Sequence, residues 1–341
     1  MPLPPEKLIQ IKNLTLHFDT IDGETKVLKE VELEIAPQQA VGLVGETGCG
    51  KSVTAKSVLG SLAIPPARII SGEILLKGEN LLELSGDERR KVMKRTMSYI
   101  PQDPMTSLNP VFKVGQQMVD LIKWHDSENV GIGALLGIRG RSKNKPAKEM
   151  ATELLDRVNI PSPEEVFDKY PVELSGGMRQ RVLISMALIG EPEFLVADEP
   201  TTALDVTIQK GILDLLQERI DDRGLAVLYI THNIGVSRKL CDIINVMYAG
   251  TVVESAPTKE LLENPVHPYT RGLVESIPKL TGEEYKGVKG RLPDYLAPPH
   301  GCRFNPRCQY SDDICLRELP VLEESVDAKH LVACHFKGEL Q

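Results

Sequence analysis

The chain has 341 residues, 41% hydrophobic and 26% charged, and a formal net charge of −8. That composition suits a globular protein with a large core and a smaller second module, and the acidic balance argues against nucleic acid as a partner. No apolar run reaches the roughly 18 residues of a membrane-spanning helix, and the segment Met1-Pro2-Leu3-Pro4-Pro5-Glu6-Lys7 lacks the apolar stretch of a signal peptide, so the chain is expected to be cytosolic and to meet a membrane only through a partner.

Residues 8–35 read as β structure. Ile9, Ile11, Leu14, Leu16 and Phe18 are separated by polar residues, Val27 to Ile35 alternates in the same way, and Ile21-Asp22-Gly23-Glu24 supplies a turn. Phe18, on the first strand, could stack on a nucleotide base or simply pack against the core. Ala40–Val44 suits a short buried strand and Ser52–Leu59 a helix. Between them Gly45-Glu46-Thr47-Gly48-Cys49-Gly50-Lys51-Ser52 reads G-x-x-x-x-G-K-S, a phosphate-binding loop in the strand–loop–helix context it requires. Its glycines let backbone N–H groups point at a phosphate chain, and the helix N-terminus adds positive potential. Lys51 would reach the β- and γ-phosphates of ATP and the Ser52 hydroxyl would ligate Mg²⁺; with Val53, these residues form the candidate nucleotide-binding set.

Further on, Ser71–Gly78 is predicted to be a strand, as is Met97–Ile100, which runs into Pro101-Gln102-Asp103-Pro104. Gln102, on that stiff corner, could ligate Mg²⁺, position the attacking water, or be part of a plain turn. From Val111 to about Asp168 the pattern is helical, interrupted by a Gly- and basic-rich stretch at 131–145 that reads as a surface loop.

Leu174-Ser175-Gly176-Gly177-Met178-Arg179-Gln180-Arg181 opens an apolar helix and makes a second phosphate-friendly helix start. Phe194–Glu199 is an apolar strand ending in two carboxylates; Asp198 suits a Mg²⁺-holding role and Glu199 that of a base acting on water. Ala226–Ile230 is another buried strand, and His232 at its end would face a γ-phosphate or, as a lone histidine often does, serve structure alone.

With these motifs in this order, residues 7–255 resemble an ATP-binding cassette (ABC) ATPase. By that resemblance Gly45–Ser52 is Walker A, Gln102 the Q-loop, Leu174–Gln180 the signature and Phe194–Glu199 Walker B with its catalytic glutamate. Ala203-Leu204-Asp205 is the D-loop, His232 the switch histidine, and Phe18 the base-stacking aromatic. Three further segments, Met105–Pro110, Pro200–Gln209 and Asn264–Arg271, resemble the dipeptide/oligopeptide importer family, in particular its D-type ATPase subunit. Thr47 and Cys49 replace commoner small residues in the loop, Asn233 stands where Asp usually follows the switch histidine, and Cys49 is expected to make the site sensitive to thiol reagents.

The resemblance implies an α/β fold: a P-loop NTPase (RecA-like) core, an antiparallel β subdomain, a helical subdomain over about 103–185, and a small irregular C-terminal module. The expected boundaries are 1–255 for the nucleotide-binding domain and 256–341 for the tail. The function it implies is ATP hydrolysis powering import of peptides or a related small solute, from the cytoplasmic face of the cell membrane. The implied partners are a second ATPase subunit, as a heterodimer, two transmembrane permease subunits and, indirectly, an extracytoplasmic solute-binding protein. Ser175, Gly176, Gly177 and Asp205 would then act on the ATP held by the partner. A soluble ABC ATPase of DNA repair or translation is the rival reading, and a redox-sensing role is the rival for the tail.

The tail holds nine prolines in 86 residues and four of the six cysteines, Cys302, Cys308, Cys315 and Cys334. Four thiolates suit a [4Fe–4S] cluster or a tetrahedral Zn²⁺ site. Zinc sites favour close C-x₂₋₄-C pairs, which are missing here, although His330 and His335 keep zinc open. D-type subunits often carry this tail, with its Gly301-Cys302 and Pro306-Arg307-Cys308 elements, which favours the cluster.

Overall fold

The computed structural model describes residues 6–126, 146–201, 204–277, 287–325 and 329–337. The basic stretch at 131–145 and Ala203 lie outside the described residues. The chain forms two compact units, Met1–Arg89 with Ala226–Gln341, and Arg90–Leu225.

Alternating side chains make β1 (Ile9–Thr20) and β2 (Gly23–Ile35) an antiparallel hairpin in which Thr20 pairs with Gly23 and Phe18 with Thr25. Gly23 leaves the two-residue turn at φ 128°, a setting that residues with a Cβ rarely adopt. Next come β3 (Ala40–Val44), α1 (Lys51–Val58), β4 (Ala67–Leu76), β5 (Glu79–Asn80) and α2 (Gly86–Thr96). The strand expected over 71–78 therefore starts earlier and stops sooner. Pairing of Phe18 with Ala67 extends its start, and left-handed backbone at Lys77 and Gly78 ends it.

The chain continues through β6 (Met97–Ile100), α3 (Pro104–Ser107), α4 (Val114–Asp126), α5 (Ala147–Arg157), α6 (Pro163–Phe167), α7 (Gly176–Ala187), β7 (Phe194–Asp198) and α8 (Val206–Arg223). The last of these shows how local sequence sets its limits. Asp205 accepts hydrogen bonds from Thr207 and Ile208 N–H at its start, Arg223 sits in its last turn, and Gly224 ends it in left-handed backbone. The remaining elements are β8 (Ala226–Thr231), α9 (Ile234–Ser237), β9 (Ile243–Tyr248), β10 (Thr251–Pro257), α10 (Thr258–Glu263), α11 (Pro268–Glu275), α12 (Asp313–Arg317), β11 (Glu323–Glu324) and β12 (Leu331–Val332).

In the first unit, one antiparallel sheet has the order β2-β1-β4-β5 and a second runs β11-β12-β10-β9-β3-β8. β3, buried at all five positions, lies parallel to both β8 and β9, which is why Ala40–Val44 reads as an unbroken apolar run. Tail residues enter this same unit: Leu331 and Val332 pair with Ser255 and Glu254 of β10. In the second unit β6 and β7 are parallel neighbours, with Met97 opposite Phe194 and Ile100 opposite Ala197. Among the described residues no helix is long and apolar enough to cross a membrane.

Candidate functional site

In the first unit the fully buried β3 delivers the chain into the loop Gly45–Gly50 at the sheet's carboxyl edge. A Cβ on Gly45 would stand 2.1 Å from the Met247 carbonyl oxygen, so only glycine lets the loop begin against β9. Gly50 precedes α1 with φ 111°, and no side chain caps that helix start. Its first N–H groups are thus left for an anion. Lys51 is buried, and its ammonium donates to the Gly45 and Glu46 carbonyl oxygens at 2.8 and 2.9 Å. Thr47 and Gly48 are exposed, and Ser52 and Val53 half-buried, at the same loop–helix junction.

The second residue pair of this unit is set by sheet register. Val44 of β3 lies opposite Thr231 of β8, so His232 leaves its strand beside the start of the phosphate loop and is exposed there. Asn233 accepts a hydrogen bond from Gly235 N–H at 3.0 Å and so starts α9. Asp and Asn both serve as N-caps, which accounts physically for this departure from the family pattern. Phe18 is half-buried on β1.

Cys49 does not behave as its loop position suggested. Its side chain is fully buried and burial raises its thiol pKa, so the expected reactivity towards thiol reagents is corrected: this is an inert, packed cysteine.

In the second unit the parallel pair β6 and β7 brings Gln102 and the two carboxylates to one edge. Asp198 is buried at the end of β7, and the Tyr99 hydroxyl donates to its Oδ2 at 3.4 Å. Burial, followed by the nearby Asp198 charge, pushes the Tyr99 phenol far above its usual range, so it remains a donor. Glu199 is also buried and sits at φ 49°, a strained setting for a residue with a side chain. Gln102 is exposed.

The Leu174–Arg181 stretch forms the start of α7. The Ser175 hydroxyl accepts from Met178 N–H at 3.3 Å, and a Cβ on Gly176 would meet nothing within 4 Å. Ser175 and Gly176 are exposed, Gly177 is half-buried, and Asp205 is exposed at the start of α8. Arg179 donates to the Pro171 and Leu174 carbonyl oxygens, both at 2.8 Å, and holds the turn in front of the helix.

In the tail, Cys302 N–H donates to the Cys315 carbonyl oxygen at 2.9 Å. Burial pushes the Cys302 thiol up to about 12, with Cys315, Cys334 and Cys308 adding to the rise. Cys315, Cys334 and Cys308 are therefore near enough to Cys302 to act on its thiol. Among the described residues, no group of three or more His, Cys, Asp or Glu side chains is placed to hold a metal ion.

The motifs assign no role to several residues around the site. Tyr99 and Arg179 are two; the others touch the phosphate loop from the C-terminal region. The Tyr269 hydroxyl accepts from Glu46 N–H at 2.9 Å, the Tyr295 hydroxyl donates to the Gly48 carbonyl oxygen at 2.8 Å, and Arg307 forms a two-pronged ion pair with Glu46. The sequence signals near them are the Asn264–Arg271 segment, which contains Tyr269, and the Pro306-Arg307-Cys308 element of the tail.

Residues 28–202 match the ABC transporter family, and residues 253–315 match the oligopeptide/dipeptide transporter C-terminal region. A probable peptide ABC transporter ATP-binding protein of Sinorhizobium fredii is 41% identical over 336 residues, covering 98% of this chain and 96% of the relative. The dipeptide transport ATP-binding protein DppD of Bacillus subtilis is 40% identical over 336 residues, covering 98% and 96%. Its oligopeptide counterpart OppD is 39% identical over 328 residues, covering 95% and 88%. Among solved structures, the dimeric structure of a bacterial ABC transporter cassette aligns with TM-score 0.62 at 24% identity, covering 73% of this chain and 98% of that one. The cbiO1 protein of Clostridium perfringens, part of an ABC transporter complex, aligns with TM-score 0.58 at 25% identity, covering 76% and 92%. The fold is that of the ABC cassettes, the expected P-loop α/β class.

Proposed function

The chain belongs to the ABC transporter family, as an ATPase subunit of the dipeptide/oligopeptide importer type, and on that premise we propose how its residues and partners do the work. Gly45–Val53 wraps the ATP phosphates, with Lys51 moving from the Gly45 and Glu46 carbonyl oxygens onto the β- and γ-phosphates. Ser52, Asp198 and Gln102 offer the oxygen ligands that Mg²⁺ prefers, and the metal, when bound, offsets phosphate charge. Glu199 takes the proton of the attacking water, His232 contacts the γ-phosphate, and Phe18 stacks on the base. Ser175, Gly176, Gly177 and Asp205 serve the ATP of a second ATPase subunit. What supports this last role is their exposure and the open space in front of Gly176.

The observation that carries the reading is the uncapped start of α1 behind a glycine-shaped loop, with the buried Lys51 tied to loop carbonyls. Residues 1–255 act as the nucleotide-binding domain, 103–185 as its helical subdomain and 256–341 as an extension. The working assembly is a heterodimer of ATPase subunits on two permease subunits at the cytoplasmic face of the membrane, fed by a solute-binding protein. The cargo is a peptide or a related small solute. Neither the DNA-repair and translation alternative nor the redox-sensor alternative gains support from the relatives, which are transport proteins matched over nearly the whole chain.

For the tail we propose that Cys302, Cys308, Cys315 and Cys334 hold a [4Fe–4S] cluster of mainly structural role. What supports it is the donor set itself: four thiols, with Cys315, Cys334 and Cys308 all acting on Cys302, at spacings wider than the close C-x₂₋₄-C pairs that zinc favours.

The test of the main reading is ATP binding and hydrolysis by the chain expressed with and without its partner subunits. Membrane co-purification and hydrolysis that rises on assembly are expected. Fast hydrolysis by a strict monomer, or retention on nucleic acid at moderate salt, would overturn it.

A further inference from the structure

We propose that Arg307 is a positioning residue for the phosphate loop, so that the C-terminal region sets how tightly the loop binds nucleotide. The inference rests on the ATP-binding reading of that loop and goes beyond it. Arg307 Nη1 and Nη2 donate to Glu46 Oε2 and Oε1, both at 3.0 Å, a planar fork on a carboxylate that is itself part of the loop. The Arg307 side chain is only 4% exposed. Its remaining donors go to the Lys289 and Val288 carbonyl oxygens and the Tyr248 hydroxyl, at 2.8, 3.0 and 3.4 Å, so the guanidinium's donors are fully used.

Two hydroxyls complete the grip. Tyr269 takes the Glu46 N–H and Tyr295 donates to the Gly48 carbonyl oxygen, so three residues remote in sequence hold the outer side of Glu46–Gly48. Tyr269 packs edge-on against Tyr248, and Tyr248 packs edge-on against Phe304, three residues before Arg307. The inner side is held differently, by Lys51 on the Gly45 and Glu46 carbonyl oxygens. When Lys51 turns to phosphate it releases those carbonyls, and the outer grip is then what keeps the loop in its binding shape. A loop already ordered binds with a smaller entropy cost. Charge acts in the same direction, because Arg307 neutralises a carboxylate beside a site that must accept a polyanion.

The expected result is a shift in binding rather than in chemistry. In the full chain, Arg307→Gln should raise the Kd for Mg-ATP about ten-fold, the order of one charged hydrogen-bonded contact. KM should rise with it while kcat stays within about two-fold, the pattern of lost ground-state binding. The added variant Arg307→Gln/Glu46→Gln should recover much of the affinity, since the unpaired carboxylate is gone. A purely structural role of Arg307 would give no such recovery. Wild-type affinity in Arg307→Gln, or a loss that Glu46→Gln does not relieve, overturns the proposal. If Arg307→Gln fails to fold, Arg307→Lys keeps the charge and gives up the fork; binding about three-fold weaker then supports the proposal, and unchanged binding overturns it. Failure of the ATP-binding reading looks different: wild-type chain would show no Mg-ATP binding that Lys51→Ala abolishes.

Discussion

His330 Nε2 lies 2.6 Å from Glu254 Oε1, with the two side chains 3% and 0% exposed. Glu254 also accepts from Val266 and His267 N–H at 2.8 and 2.9 Å, so a carboxylate on β10 has three partners from two places in the C-terminal region. A buried charge that loses its partner is costly. His330→Ala should therefore destabilise the chain by about 3 kcal/mol, the low end for such a loss, because two N–H donors remain. Denaturant unfolding checks it; a change below about 0.5 kcal/mol would show that the pair is incidental.

His267 adds a pH dependence of defined sign. Burial lowers its pKa to about 4, against the opposing pull of Glu254, and its Nδ1 accepts from Tyr269 N–H at 3.1 Å, a bond that the protonated ring cannot make. The unfolded chain titrates this group near 6.5, so between pH 6.5 and 4 it binds a proton that the folded chain refuses. Stability from this group is present above pH 6.5 and falls as pH drops to 4, by at most about 3 kcal/mol in all. His267→Asn keeps an acceptor at the start of α11 and removes the titration, so its stability should vary less over that window. Parallel unfolding curves at pH 7, 5.5 and 4.5 decide it, and equal slopes for the two proteins would refute it.

Glu199 stands buried in left-handed backbone directly after Asp198. Glu199→Gln should keep the shape and lose the base. Steady-state phosphate release should fall roughly 10²- to 10⁴-fold while Mg-ATP still binds and the dimer with the second ATPase subunit accumulates closed. Lys51→Ala should instead weaken binding itself. Turnover near the wild-type rate in Glu199→Gln would remove that residue from the chemistry.

For the tail, anaerobic purification with metal analysis should give about four irons and matching acid-labile sulfide per chain, both lost in Cys308→Ser. Colourless protein with one zinc would sink the cluster. Cys49, by contrast, should stay unmodified by a thiol reagent in the folded chain and react only on unfolding.

How much of this could be read beforehand depended on whether a feature is local. Gly45–Ser52 was legible because the loop's demands, glycines that permit close approach and positive φ plus a lysine at a set offset, fall within eight consecutive residues. The signature at Leu174–Arg181 and the strand ending in Asp198 and Glu199 were legible for the same reason, and parallel register then brought Gln102 to the carboxylates without further information. The strand at Ser71–Gly78 was found but misplaced, since its start is set by pairing with Phe18 rather than by its own residues. Cys49 was misjudged because reactivity depends on burial, and burial depends on chains folded over the residue from elsewhere. Arg307, Tyr295 and Tyr269 reach the loop from 261, 247 and 223 positions away in the chain; Arg307 and Tyr269 lie in recognisable segments, but nothing in those segments says that they fold onto the loop. The sequence by itself determined the family and the fold class, because the motifs that carry them are written in contiguous residues. Only tertiary structure decided what surrounds them, because packing and electrostatic contact depend on distance in space.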